Sequence, residues 1–120
     1  VLYANTNSIT ALQNMYAPAL KVLDCTNNDI SQISGLGDLS MLTTLNLGTN
    51  NLKDVSGLHG LTQLKTLSLV DNDLEETTSI IGVIKTCLNL MELHISHNDV
   101  TKESIEAAIS GFGRSPIKIS

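Results

Sequence analysis

The sequence predicts an α/β solenoid. It has a parallel β-sheet on one side and a return layer that passes from tight or 3₁₀ turns to α-helices on the other. Two observations carry this. The stretch Leu42-Thr-Thr-Leu45-Asn-Leu47-Gly-Thr-Asn50-Asn-Leu52 sets four leucines and one asparagine at fixed offsets, and the same frame recurs along the 120 residues. The asparagines of successive copies (Asn7, Asn28, Asn50, Asn72, Asn98) stand 21, 22, 22 and 26 residues apart. A fixed period in this range marks a chain of stacked supersecondary units.

The frame reads Leu-x-x-Leu-x-Leu-x-x-Asn-x-Leu. The first copy is cut short at Leu2, Ala4, Asn7 and Ile9; the second is Leu20, Leu23, Cys25, Asn28, Ile30. The third is the stretch above. The fourth is Leu64, Leu67, Leu69, Asn72, Leu74, and the fifth Leu90, Leu93, Ile95, Asn98, Val100. A sixth is read as starting at Ile117 and Ile119. In Leu45-Asn-Leu47 the alternation is that of a short strand with one buried face. Such strands are unstable alone and pair between copies. The asparagines fall where the chain leaves the strand, so their amides are expected to bond the backbone groups that the turn leaves open and to repeat as a ladder.

The return segments differ along the chain. Ile33-Ser-Gly35-Leu36 and Val55-Ser-Gly57-Leu58 are short and glycine-containing, and read as tight or 3₁₀ turns. Repeat four is four residues longer, about one helical turn. Its segment Thr78 to Leu88 has helical apolar spacing, with Thr77, Thr78 or Ser79 as caps. In repeat five Thr101 is the expected N-cap and Glu103 suits the first turn. Ile105, Ala108, Ile109 and Phe112 form the expected buried stripe, and Gly111 or Gly113 the stop.

This frame resembles the leucine-rich-repeat family over essentially the whole chain. The repeat length resembles the 22-residue subclass found in the regulatory subunit of type-1 protein phosphatase, in ciliary and cytoskeletal proteins and in internalins. The longer helical repeats look more like those of intracellular eukaryotic or effector-type proteins. The resemblance implies a curved right-handed superhelix with its sheet on the concave side. Residues 1–120 are expected to form one such domain of about five repeats. Without visible caps, it is expected to be a fragment of a longer solenoid.

Composition narrows the function. Two Tyr, one Phe and no Trp leave an aliphatic core and few aromatic anchors for an interface. The net charge of −5 is spread along the chain, so no nucleic-acid or anionic-membrane partner is expected. No apolar run spans a bilayer and no signal peptide is visible. Two cysteines make no disulfide framework, and no Asn-x-Ser/Thr sequon occurs. Together these point to an intracellular, cytoplasmic protein.

No chemistry emerges from the motifs. His94, His97 and Asp99 lie close in sequence, but the frame sends His94 off the strand and His97 into the loop. Cys25 fills a leucine slot and Cys87 the helix stripe, so both are read as core. Asp71-Asn-Asp73-Leu-Glu75-Glu76 lacks the glycine and the final glutamate of a calcium loop and reads as a solvated rim. Gly35-Leu-Gly37 and Gly111-Phe-Gly113 are turn glycines, not phosphate loops. We expect a non-enzyme with no cofactor, no metal and no small-molecule substrate.

The expected activity is therefore protein binding at the positions between the strand leucines. The middle column reads Tyr3, Asp24, Asn46, Ser68, His94, Lys118, and the column before it Val1, Val22, Thr44, Thr66, Glu92, Pro116. The column after reads Asn5, Thr26, Gly48, Val70, Ser96, Ser120. Tyr3, Asp24, Asn46, Ser68, His94, Thr44, Thr66 and Glu92 are the candidate binding residues, on a surface about 24 Å long at ~4.8 Å per strand. The readings are an interaction module or scaffold, with a phosphatase regulatory subunit, a component of a large assembly such as a cilium, or a surface adhesin as alternatives.

Overall fold

The computed structural model describes residues 1–113 and 116–120. The described residues contain eight short strands: β1 (Leu2–Tyr3), β2 (Ala11–Gln13), β3 (Val22–Asp24), β4 (Gln32–Ser34), β5 (Thr44–Asn46), β6 (Thr66–Ser68), β7 (Glu92–His94) and β8 (Lys118–Ile119). A 3₁₀ turn covers Ser56–Leu58, and helices α1 (Thr78–Thr86) and α2 (Lys102–Ile109) complete the chain. Six strands form one parallel sheet in the order β1-β3-β5-β6-β7-β8.

The frame leucines set the register. Leu2, Leu23, Leu45, Leu67, Leu93 and Ile119 stand opposite one another across that sheet. Leu23, Leu45 and Leu67 have no solvent exposure at all. They meet the second leucine column, Leu47 and Leu69, together with Leu36, Leu58, Ile80 and Ile84 from the return side in one aliphatic core. Cys25 occupies the leucine slot and is fully buried, as is Cys87. Burial, then the neighbouring Asp24 charge, pushes the Cys25 thiol up to about 11, which makes it a poor nucleophile.

The asparagines bond backward. The Asn50 amide donates from Nδ2 to its own Leu47 carbonyl at 3.0 Å and to Cys25 of the preceding coil at 3.1 Å; its Oδ1 accepts from Ile30 N at 2.9 Å. Asn72 and Asn98 repeat this one coil further on each time. The amides do not bond one another. Each closes its own turn and ties it to the backbone of the coil before. Asn28, Asn50 and Asn72 are buried, so these bonds satisfy groups that water cannot reach.

A second periodic feature stands one residue earlier. Thr6, Asn27, Thr49, Asp71 and His97 all have φ between 54° and 60°. This left-handed residue turns the chain out of the strand while keeping the ladder intact. Asn27 N–H still donates to Gly48 O at 2.9 Å, Thr49 N–H to Val70 O at 2.8 Å and Asp71 N–H to Ser96 O at 2.9 Å.

The return layer changes character along the chain, with one correction to the expectation. Around Ile33 the chain is a strand: β4 pairs in parallel with β2, Leu12 opposite Ile33. The expected turn at Val55 to Leu58 is the 3₁₀ turn. Gly57 is needed there because a Cβ would collide with the Ile33 carbonyl of the neighbouring coil. The longer repeats close with helices. Helix α1 buries Ile80, Val83 and Ile84; Thr77 stands at its N-cap without a side-chain bond, while Ser79 Oγ accepts from Val55 N. In α2 Thr101 caps Ser104 N at 3.1 Å, and the Ser104 hydroxyl reciprocates. Its buried stripe is narrower than expected. Ile105 is buried, Ile109 and Phe112 are half-buried, and Ala108 faces solvent. Among the described residues no helix is long and apolar enough to cross a membrane.

Candidate functional site

The first and third positions of β3, β5, β6 and β7 point away from the core, and their side chains are half-buried rather than covered. On this open face Tyr3, Asp24, Asn46, Ser68 and His94 stand in one row, and Val22, Thr44, Thr66 and Glu92 in the row beside it. All eight candidate residues therefore share one face. Tyr3, at its β1 end, is the most exposed, at 71%.

The sixth copy is misplaced in the sequence-based frame. Ile119, not Ile117, pairs with Leu93, so Lys118 joins the Glu92 row. The row of His94 then continues at Ser120, and Pro116 falls outside it. The spacing held the signal: Leu67 to Leu93 and Leu93 to Ile119 are both 26 residues, the step of a helical repeat. The Ile117-x-Ile119 alternation concealed it.

Several face residues are already engaged. Asp24 Oδ1 accepts from both Thr26 N (2.9 Å) and the Thr26 hydroxyl. Asn46 Oδ1 accepts from Gly48 N at 3.0 Å. These side chains brace the exit of their own strands, which fixes their positions on the face. Thr44, Thr66 and Ser68 lie between them and leave the centre low and polar. At the β8 end the groups converge. His94 Nε2 lies 3.3 Å from Glu92 Oε2, and His94 Nδ1 lies 2.5 Å from Ser120 Oγ.

The other candidates separate. His97 sits in the left-handed turn position, exposed, and does not join His94. No group of three or more metal-ligating side chains exists among the described residues. The acidic stretch after Asn72 contributes Asp73, Glu75 and Glu76 to a surface cleft of about 480 Å³, shared with Lys53, Asp54 and His59. There the Ser56 N–H and hydroxyl hold the Asp54 carboxyl below its usual range.

Comparison with known proteins agrees with this geometry. Residues 18–58 match the pattern described as Leucine Rich repeats (2 copies), and residues 86–107 match Leucine Rich repeat. A leucine-rich repeat protein of Acanthamoeba polyphaga mimivirus is 50% identical over 38 residues, 32% of this chain and 9% of the viral protein. The crystal structure of an internalin from Listeria monocytogenes is similar over 84% of this chain, at 30% identity and a TM-score of 0.61. The chain spans 30% of that internalin's length. With its register, its asparagine turns and these matches, the chain belongs to the leucine-rich-repeat family.

Proposed function

We propose that the protein is a non-catalytic interaction module that binds a protein partner on the concave face of its six-stranded sheet. The observation that carries this reading is the continuous, uncovered face on which Asp24, Thr44, Asn46, Thr66, Ser68, Glu92 and His94 stand in register. Small polar side chains at its centre let another backbone approach closely, while Tyr3 and the Glu92–His94 pair mark its two ends. The return side is less suited. Its surface changes from strand to 3₁₀ turn to helix, so it offers no repeated geometry along its length. Membership of a family built on repeated binding surfaces supports the same reading.

A photo-reactive residue placed at Ser68, and separately at exposed Ser110 on the return side, tests the reading in a lysate of the source cells. A discrete crosslinked protein is expected from the Ser68 position. Crosslinking from Ser110 alone would refute the concave site.

A further inference from the structure

We propose that Ser120 is a reactive hydroxyl, a site for covalent acylation, with His94 as its base and Glu92 as the positioning residue. The three side chains form a continuous chain across β7 and the strand beside it. Ser120 Oγ is 2.5 Å from His94 Nδ1, and His94 Nε2 is 3.3 Å from Glu92 Oε2. The negative Glu92 carboxylate beside Nε2 favours the imidazole proton there by charge attraction, which leaves the Nδ1 lone pair toward the hydroxyl. This is the order nucleophile, base, orienting acid that activates a serine.

The backbone of Ser120 is pinned from both directions. Its N–H donates to Leu93 O at 3.0 Å and its carbonyl accepts from Ile95 N at 2.7 Å. The hydroxyl is thus held over the ring by the sheet ladder itself, and it is exposed.

The chemistry is addition to an activated acyl group such as a thioester. Ser120 Oγ forms a bond to the carbonyl carbon, its proton passes to His94 Nδ1, the carbon–sulfur bond breaks, and the proton goes on to the departing thiolate. The Ser120 N–H is spent on Leu93 O and does not serve the nascent oxyanion. Ser120 is a modification site and not the centre of a turnover cycle, which leaves the interaction-module reading intact.

A fluorophosphonate probe tests this. Attack on phosphorus expels fluoride and leaves a stable adduct for peptide mass spectrometry. Ser120 is expected to label about 10²-fold faster than exposed Ser8 and Ser96, the lower range for a positioned base. His94→Gln is expected to return Ser120 to the rate of Ser8, and Glu92→Gln to slow labelling, which the conservative Glu92→Asp restores in part. Labelling of Ser120 at the Ser8 rate, or an unchanged rate in His94→Gln, would overturn the proposal.

Discussion

Asn50 reaches back one coil. Its Nδ2 donates to the Cys25 carbonyl at 3.1 Å while its Oδ1 receives the Ile30 N–H at 2.9 Å. One side chain thus satisfies backbone groups of two coils at once. Asn50→Ala leaves those groups buried without partners, and unfolding in denaturant should show a loss of ~1–3 kcal/mol. Asn7 is exposed and bonds mainly its own turn. Asn7→Ala should cost less than about half as much in the same measurement, and an equal cost would mean that burial is not what gives the amide its value.

The left-handed column offers a gain. Thr49 holds φ 54°, which a β-branched residue tolerates poorly and asparagine tolerates well. Asn27 already fills the equivalent position one coil earlier. Thr49→Asn should therefore raise stability by roughly 0.5–1 kcal/mol. A lowered melting temperature would show that packing of the threonine methyl outweighs the backbone term.

Gly57 and Gly82 separate two kinds of close approach. A methyl on Gly57 meets the backbone carbonyl of Ile33, which cannot step aside, so Gly57→Ala should cost roughly 1–3 kcal/mol. On Gly82 it meets the exposed His59 ring, which can swing away. The helix then gains alanine's propensity of about 0.5–1 kcal/mol over glycine, and Gly82→Ala should be neutral or stabilising. Thermal melts of the pair distinguish them.

Cys25 makes alkaline stability measurable. Its folded-state value of about 11 lies above the ordinary 9.0, so the folded chain holds a proton that the unfolded chain gives up. The contribution is complete below pH 9 and is lost as pH rises towards 11. Denaturation midpoints should fall across that window, and Cys25→Val should flatten the fall. An identical decline in the variant would assign it to other groups.

Much of the fold was legible because one residue type at one offset did one job in every coil. Leu23, Leu45, Leu67 and Leu93 announce both burial and register, and Asn28 to Asn98 announce the turns. The rest lacked such a signature. Ala11–Gln13 and Gln32–Ser34 are strands only because each pairs with the other, and three residues carry too little alternation to say so. The left-handed column escaped notice because Thr49 and His97 are not residues that advertise that conformation. On the open face the eight candidates stand in two adjacent rows, but sequence could not show that Asp24 and Asn46 spend an oxygen on their own strand exits, nor that Ser120 reaches His94.

The concave-face reading is tested most directly by affinity. Once a crosslinked partner is in hand, its binding to Thr66→Lys/Ser68→Lys should be compared with binding to Gln13→Lys on the return layer. Asn46 is left intact because its side chain supports Gly48 N. With both variants melting like the parent, the concave double variant should lose binding by at least about 100-fold, near 2.7 kcal/mol, while Gln13→Lys binds normally. Retained affinity in the concave pair, with loss in Gln13→Lys, would contradict the account.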